Sequence, residues 1–180
     1  MIAAALELVD WRGRDGLRYR ARYDSAGVLV FRPRIGSLRD LVVWATGKSN
    51  SLISKLLNAV FNAATYSSPA TVYPAIWTST LNASSTGSTA GECSYTGYAR
   101  PAVTANTTNF PTSSAGAAIT NGTAITFPAN AGSLNTGTFF AICDAATVGQ
   151  ILYWGSITST AINPGDTPQV AASALTVTEV

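Results

Sequence analysis

From residue 51 to residue 180 the chain carries only six charged side chains, Lys55, Glu92, Arg100, Asp144, Asp166 and Glu179, and no histidine. Residues 1–50 hold the other nine of the eleven basic residues: Arg12, Arg14, Arg18, Arg20, Arg22, Arg32, Arg34, Arg39 and Lys48. Five of the nine acids stand with them, so the first stretch nets +4 (nine minus five) and the rest −2 (two minus four), which sum to the formal +2. A body so poor in charge is weakly protected against self-association, and it reads as a surface-forming or assembling domain. The basic segment reads as an arm or a separate small module. This suggests two parts, a basic N-terminal arm or small β module over 1–45 and a β domain over 46–180.

Charged residues make up 11% of the chain, against about 25% in a typical soluble domain. Ser, Thr, Ala, Gly and Asn take their place, and such a surface is expected to be partly covered by neighbours. No apolar run approaches the roughly 18 residues that a membrane-spanning helix needs. The start, Met1-Ile-Ala-Ala-Ala-Leu-Glu, has no basic n-region, and no secretion signal is expected. Cys93 and Cys143 are too few for a disulfide framework and read as two small buried thiols, with a single disulfide as the alternative. The Asn-x-Ser/Thr triplets at Asn82, Asn106 and Asn121 are expected by chance in so hydroxyl-rich a chain.

Residues 17–23 alternate strictly, with Leu17, Tyr19, Ala21 and Tyr23 on one side and Arg18, Arg20 and Arg22 on the other, which is the period of a strand. Turn residues Asp15-Gly16 and Asp24-Ser25-Ala26-Gly27 bracket it, Leu6–Trp11 reads as a strand before it, and Val28–Phe31 as one after it. Residues 6–32 therefore suggest a small hairpin or meander, marginal unless it packs on something. Leu38–Trp44 is ambiguous between helix and strand. One clear helix is expected at 50–63, capped by Ser49 or Asn50. Its residues Leu52, Ile53, Leu56, Leu57, Val60 and Phe61 share a face, and burying all six against a sheet would contribute on the order of 10 kcal/mol gross. Strands follow at Thr71–Thr78, Tyr98–Val103, Ala124–Phe127, Thr138–Cys143, Ile151–Ile157 and Ala174–Thr178. Pro74 removes one ladder donor and marks an edge or bulge. Residues 79–96 read as a loop too polar for the core, 104–123 as another polar stretch, and Asn163-Pro-Gly-Asp166 as a turn with Gly165 at positive φ. The class is mainly β, a β-sandwich or jelly roll with one flanking amphipathic helix.

Little here speaks for catalysis: no histidine base, no Ser/His/Asp or Cys/His set, no zinc-ligand cluster and no phosphate loop. No enzyme activity, cofactor or metal is expected. Asp144 and Asp166 read as turn caps rather than members of a carboxylate dyad or calcium site, and Arg100 is expected to pair with a nearby acid or carbonyl. The strongest candidate for binding is the basic segment: Arg12, Arg14, Arg18, Arg20, Arg22, Arg32 and Arg34, with Tyr19 and Tyr23. Arginines alternating on a strand can dock on an acidic protein surface, track phosphates of a nucleic acid, or simply protect an edge. The first and last of these outweigh the nucleic-acid reading.

Several ordered motifs between 46 and 178 carry a resemblance. They are Thr46-Gly-Lys-Ser-Asn, Pro69-Ala-Thr-Val-Tyr73, Gly97-Tyr-Ala-Arg100, Ala124-Ile-Thr-Phe-Pro128, Phe140-Ala-Ile-Cys-Asp-Ala-Ala146, Gln150-Ile-Leu-Tyr-Trp-Gly155, Asn163-Pro-Gly-Asp166 and Ala174-Leu-Thr-Val177. In this order they resemble a family of tailed-phage virion proteins often labelled tail fibre, which look similar to jelly-roll cement or decoration proteins of capsid shells. The resemblance implies a structural protein in the virion, on the capsid surface after assembly in the bacterial cytoplasm. It implies the major capsid protein and copies of the chain itself, as a homotrimer, for partners. A tail-fibre or receptor-contact module is the alternative, with loops 79–96 and 104–123 and aromatics such as Tyr95 touching a host surface. A small nucleic-acid-binding protein is the third reading. Residues 1–44 have no counterpart in the family. They are either a working arm or a stretch upstream of a start near Val42 or Val43.

Overall fold

The computed structural model describes residues 41–45, 47–112 and 118–178 with their side chains, and before residue 41 the backbone of four strands. The chain divides into two compact units, Met1–Leu38 and Arg39–Val180. The division falls between residues 38 and 39 rather than after residue 45. The first unit holds an antiparallel sheet of order β1-β2-β3, made by β1 (Val9–Arg12), β2 (Arg18–Tyr23) and β3 (Leu29–Arg32), at the place of the expected meander. The turn segments Asp15-Gly16 and Asp24–Gly27 lie outside the described residues.

The second unit runs β4 (Arg39–Asp40), β5 (Val43–Ala45), β6 (Gly47–Lys48), α1 (Asn50–Phe61), β7 (Thr71–Trp77), β8 (Val103–Thr104), β9 (Ala118–Thr120), β10 (Ile125–Thr126), β11 (Asn135–Cys143), β12 (Ile151–Ile162), β13 (Pro168–Val170) and β14 (Leu175–Thr178). Among the described residues it is mainly β with a single helix, as the sequence pattern requires. An antiparallel five-stranded sheet of order β6-β12-β11-β7-β8 forms one layer. Two short sheets, β10-β13-β4 and β5-β14-β9, form the other.

Within the segment 38–44, ambiguous in the sequence, the structure forms two short strands: β4 and β5 pair in parallel with β13 and β14. Leu41 N–H donates to the Gln169 carbonyl (2.7 Å) and Val43 N–H to the Ala174 carbonyl (2.9 Å), so the partner runs from 169 to 174 while this edge advances two residues. Asn121, fully buried, fills that bulge. Its Nδ2 donates to the Thr123 and Ala171 carbonyls (2.8 and 2.7 Å), and its Oδ1 accepts from Leu175 N–H (2.9 Å).

Between the layers lie Val43, Ile76, Phe140, Ile162, Val170 and Leu175, all at 0% exposure. The layers approach so closely that a Cβ at Gly155 of β12 would collide with the Trp44 carbonyl oxygen of β5. The opposite face of the five-stranded sheet is also buried, by Ala75, Trp77, Leu81, Ala141, Cys143 and Ile151. Leu81 comes from the 79–96 segment, which is not the wholly exposed loop its polarity suggests. Its hydroxyls and amides bond to its own backbone, Asn82 N–H to Ser85 Oγ (3.0 Å), Ser84 N–H to Asn82 Oδ1 (2.9 Å) and Thr86 N–H to Thr89 Oγ1 (2.9 Å). The segment can therefore fold onto the sheet without orphaned backbone groups, and Leu81, Cys93 and Tyr95 sink to 1–3% exposure.

Three further readings are corrected or located. Tyr98–Val103 is not a strand except at Val103, because Tyr98 and Arg100 are drawn into a side-chain cluster. Pro74 does sit at an edge: β8 pairs only with Thr71 and Val72, and the neighbouring outward amide, that of Ile76, donates to Tyr98 Oη (3.1 Å) instead of to a strand. The missing donor therefore costs the ladder nothing. Gly165 has φ 89°, in the turn where Asp166 carboxylate oxygen Oδ2 accepts from Asn163 N–H (2.8 Å).

Helix α1 departs most from expectation. Ser49 caps it, Oγ accepting from Leu52 N–H (3.2 Å), and Leu52 is buried. Leu56 is only partly buried against the core, while Leu57, Val60 and Phe61 are 52%, 73% and 77% exposed. The full burial of all six apolar side chains does not occur. The helix is anchored at its start, where Ser49 N–H donates to the Leu152 carbonyl (3.1 Å) and Asn50 N–H to the Ala83 carbonyl (2.7 Å), and its second half leaves the core. No helix among the described residues is long and apolar enough to cross a membrane.

Candidate functional site

The basic segment is organised by strand register. Arg12 stands opposite Arg18, Arg20 stands between Asp10 and Arg32, and Arg22 opposite Val30. Alternation puts Arg18, Arg20 and Arg22 on one face of β2, and register adds Arg12 and Arg32 to it. The other face gathers Val9, Trp11, Tyr19, Ala21, Tyr23, Leu29 and Phe31. Five of the arginines singled out from the sequence thus share a face with one acid, and Tyr19 and Tyr23 belong to the opposite one. Arg14 and Arg34 lie outside the described residues. Two like-charged pairs directly across neighbouring strands are unfavourable for an isolated sheet, and an anionic surface would relieve them.

In the second unit the charges are spent internally. Of the six charged residues between 41 and 178, Lys55 alone is exposed. Arg100 is 7% exposed, and all five guanidinium N–H groups are used. Nε and Nη2 donate to the two Glu92 carboxylate oxygens, both at 2.7 Å. Nη1 donates to the Ala145 and Val148 carbonyls (2.9 and 3.0 Å), and Nη2 also to the Gly87 carbonyl (2.8 Å). The guanidinium lies 5.5 Å from the centre of the Trp77 ring, whose Nε1 donates to the Thr89 carbonyl (3.1 Å). One side chain thereby ties loops 79–96 and 144–150 over the outer sheet face. Val148 takes a left-handed φ of 55°, strained for a β-branched residue, with its carbonyl on Arg100.

Tyr98 Oη donates to Glu92 Oε1 (3.0 Å); burial and then the Glu92 charge push its pKa upward. Cys93 and Cys143 are free and buried. Burial, with the Glu92 charge second, pushes Cys93 up to about 12, and burial likewise pushes Cys143 up to about 12. Both thiols are therefore protonated and poorly nucleophilic at neutral pH. Asp144 Oδ1 accepts from Gln150 N–H (2.7 Å), closing the β11–β12 turn. Asp144 and Asp166 thus cap turns, as expected of them, and Arg100 has the acid and carbonyl partners expected of it. Among the described residues no group of three potential ligands could hold a metal ion.

Tyr95, proposed from the sequence as a host-contact aromatic, is 2% exposed, with Oη donating to the Pro128 carbonyl (2.9 Å) and its ring edge-on to Tyr98. It cannot reach a host surface from there. Its neighbourhood to Pro128 is a long-range contact that local polarity does not reveal. Among the described residues the exposed large apolar groups are instead Trp44 and Val42 on the edge segment, Leu57, Val60 and Phe61 on α1, and the separate loop residues Leu134 and Val148. The helical ones belong to the apolar face that the sequence pattern expects to be buried whole against a sheet.

No curated protein matches the chain. The family model described as podophage GP4 fiber I protein gp80 matches residues 47–178, nearly the whole of the second unit, and the chain belongs to that phage fibre family.

Proposed function

We propose that the protein is a structural part of a podophage fibre, in which the second unit builds the assembly and the basic sheet of the first docks on an acidic surface of a neighbouring virion protein. The observation that carries this reading is the family match across residues 47–178, a family named for a fibre protein. The scarcity of exposed charge among the described residues of the second unit, where Lys55 alone is exposed, supports a domain packed among protein neighbours. The shared face of Arg12, Arg18, Arg20, Arg22 and Arg32 supports a charge-guided contact, which improves register and encounter rate more than raw affinity.

The competing reading is a cement protein on the outside of the shell, bound to the major capsid protein. Quantitative mass spectrometry of purified particles separates the two. The fibre reading expects a copy number tied to the single tail, far below that of the shell protein. A ratio near one copy per shell subunit, or per threefold position, replaces it with the cement reading, and absence from particles overturns both.

A further inference from the structure

We infer that the apolar stripe of α1, half-buried Ile53 with exposed Leu57, Val60 and Phe61, is a self-association seam that packs against the same helix of other copies of this chain. The spacing is i, i+4, i+7 and i+8, the repeat with which helices interlock side by side. Leu52 and Leu56 occupy a neighbouring sector and meet the protein's own core, so the stripe is a second apolar surface beyond the one that holds the helix. The polar sector, with Lys55, Asn58 and Asn62, is separate from both.

Two features say that the stripe is covered. The helix has 12 residues, and isolated helices shorter than about 12–15 residues are marginal in water. It also has no acid in its first turn and no basic residue in its last, so its dipole gains nothing from its own charges. With Leu52 its only buried residue, its second half needs a contact beyond the described core.

Charge favours another copy as the occupant. Lys55 is the helix's one charge and lies off the stripe, so identical helices meet without like-charge repulsion. There is no charge for an acidic or basic partner to complement, and a membrane-surface helix would carry several basic residues beside its apolar face. Leu57, Val60 and Phe61 offer on the order of 350 Å² of exposed side chain, below the roughly 800 Å² per partner of a standard interface. A closed ring, which buries both flanks of the stripe on every copy, suits so small a seam better than an isolated pair.

This inference rests on the second unit being an assembling domain, and its test does not use the virion, so failure here leaves the fibre reading standing. Full-length protein at tens of micromolar and high salt, which screens the basic sheet, is measured by sedimentation velocity. The wild type is expected to be oligomeric, and the triple variant Leu57→Gln, Val60→Gln, Phe61→Gln to dissociate at least about tenfold more readily with its far-ultraviolet circular dichroism retained. Because the triple variant could unfold, Val60→Cys alone is oxidised in parallel and is expected to form a disulfide between copies. A monomeric wild type, a folded triple variant as oligomeric as the wild type, or a Val60→Cys chain that stays uncrosslinked overturns the seam. Hydrogen-exchange protection of residues 57–61 in a monomer would assign the stripe to a contact within one chain and overturn it equally.

Discussion

The two units handle charge in opposite ways. The first collects arginines on one sheet face and sets two pairs of them directly opposite each other, a costly arrangement for the sheet on its own. The second turns its charges inward: Arg100 and Glu92 close an ion pair under the loops, Asp166 is buried in a turn, and Asp144 ties the β11–β12 hairpin. On the function proposed above, one unit carries charge for a partner, and the other uses it to hold its own fold. Substitutions that remove charge should therefore have unlike consequences in the two.

The largest effect is expected at Arg100. Arg100→Ala leaves Glu92 without its cation and three carbonyls without their donor, and removal of one partner of a buried pair costs about 3–5 kcal/mol. Chemical denaturation should show that loss, and Arg100→Lys should recover only part of it, since an ammonium cannot span five acceptors. A stability within about 0.5 kcal/mol of wild type would mean that the loops are held otherwise.

Alkaline pH acts through the thiols beside this cluster. Cys93 and Cys143 have folded-state pKa values raised to about 12 from an ordinary value near 9. Above pH 9 the unfolded chain releases these protons while the folded chain keeps them. The stabilisation is thus complete below pH 9 and is lost as pH rises towards 12, at about 1 kcal/mol per pH unit for each thiol. Melting temperatures between pH 9 and 11 should fall, and less steeply in Cys143→Ala. The same burial predicts that a thiol reagent labels neither cysteine until the protein unfolds.

A smaller change, of opposite sign, is expected at Val148. It is 61% exposed and holds a left-handed φ, so Val148→Gly should stabilise by about 1 kcal/mol if its carbonyl stays on Arg100. The smallest effect on the second unit is expected from Arg18→Gln, Arg20→Gln and Arg22→Gln together, whose melting should stay within about 0.5 kcal/mol of wild type.

How much of this the sequence disclosed follows the same division. Period-two alternation located β2, short runs spaced between turn residues located β7, β11 and β12, and the helical period located α1 with its Ser49 cap, because each signal is local. The five-arginine face was half visible: alternation gives Arg18, Arg20 and Arg22, but only register adds Arg12 and Arg32. Long-range relations were not legible. Leu38–Trp44 read ambiguously because the partners of β4 and β5 are some 130 positions away, at 168–177. These residues precede the family match at 47, yet they supply Leu41, Val43 and Ala45 to the core. The burial of Leu81 and Tyr95 depends on hydroxyl-to-backbone bonds that polarity scales count as exposure. The exposed half of α1 was misjudged for the converse reason, since periodicity shows which residues share a face but not how much of that face the same chain covers.

The most direct measurement of the contrast between the units is attachment to purified particles across a salt series, for the wild type and the Arg18→Gln, Arg20→Gln, Arg22→Gln variant, with melting curves of both. The account predicts wild-type attachment that weakens steeply with salt, a variant that attaches poorly even at low salt, and coincident melting of the second unit. A variant that attaches as the wild type does, with the same salt dependence, would contradict it.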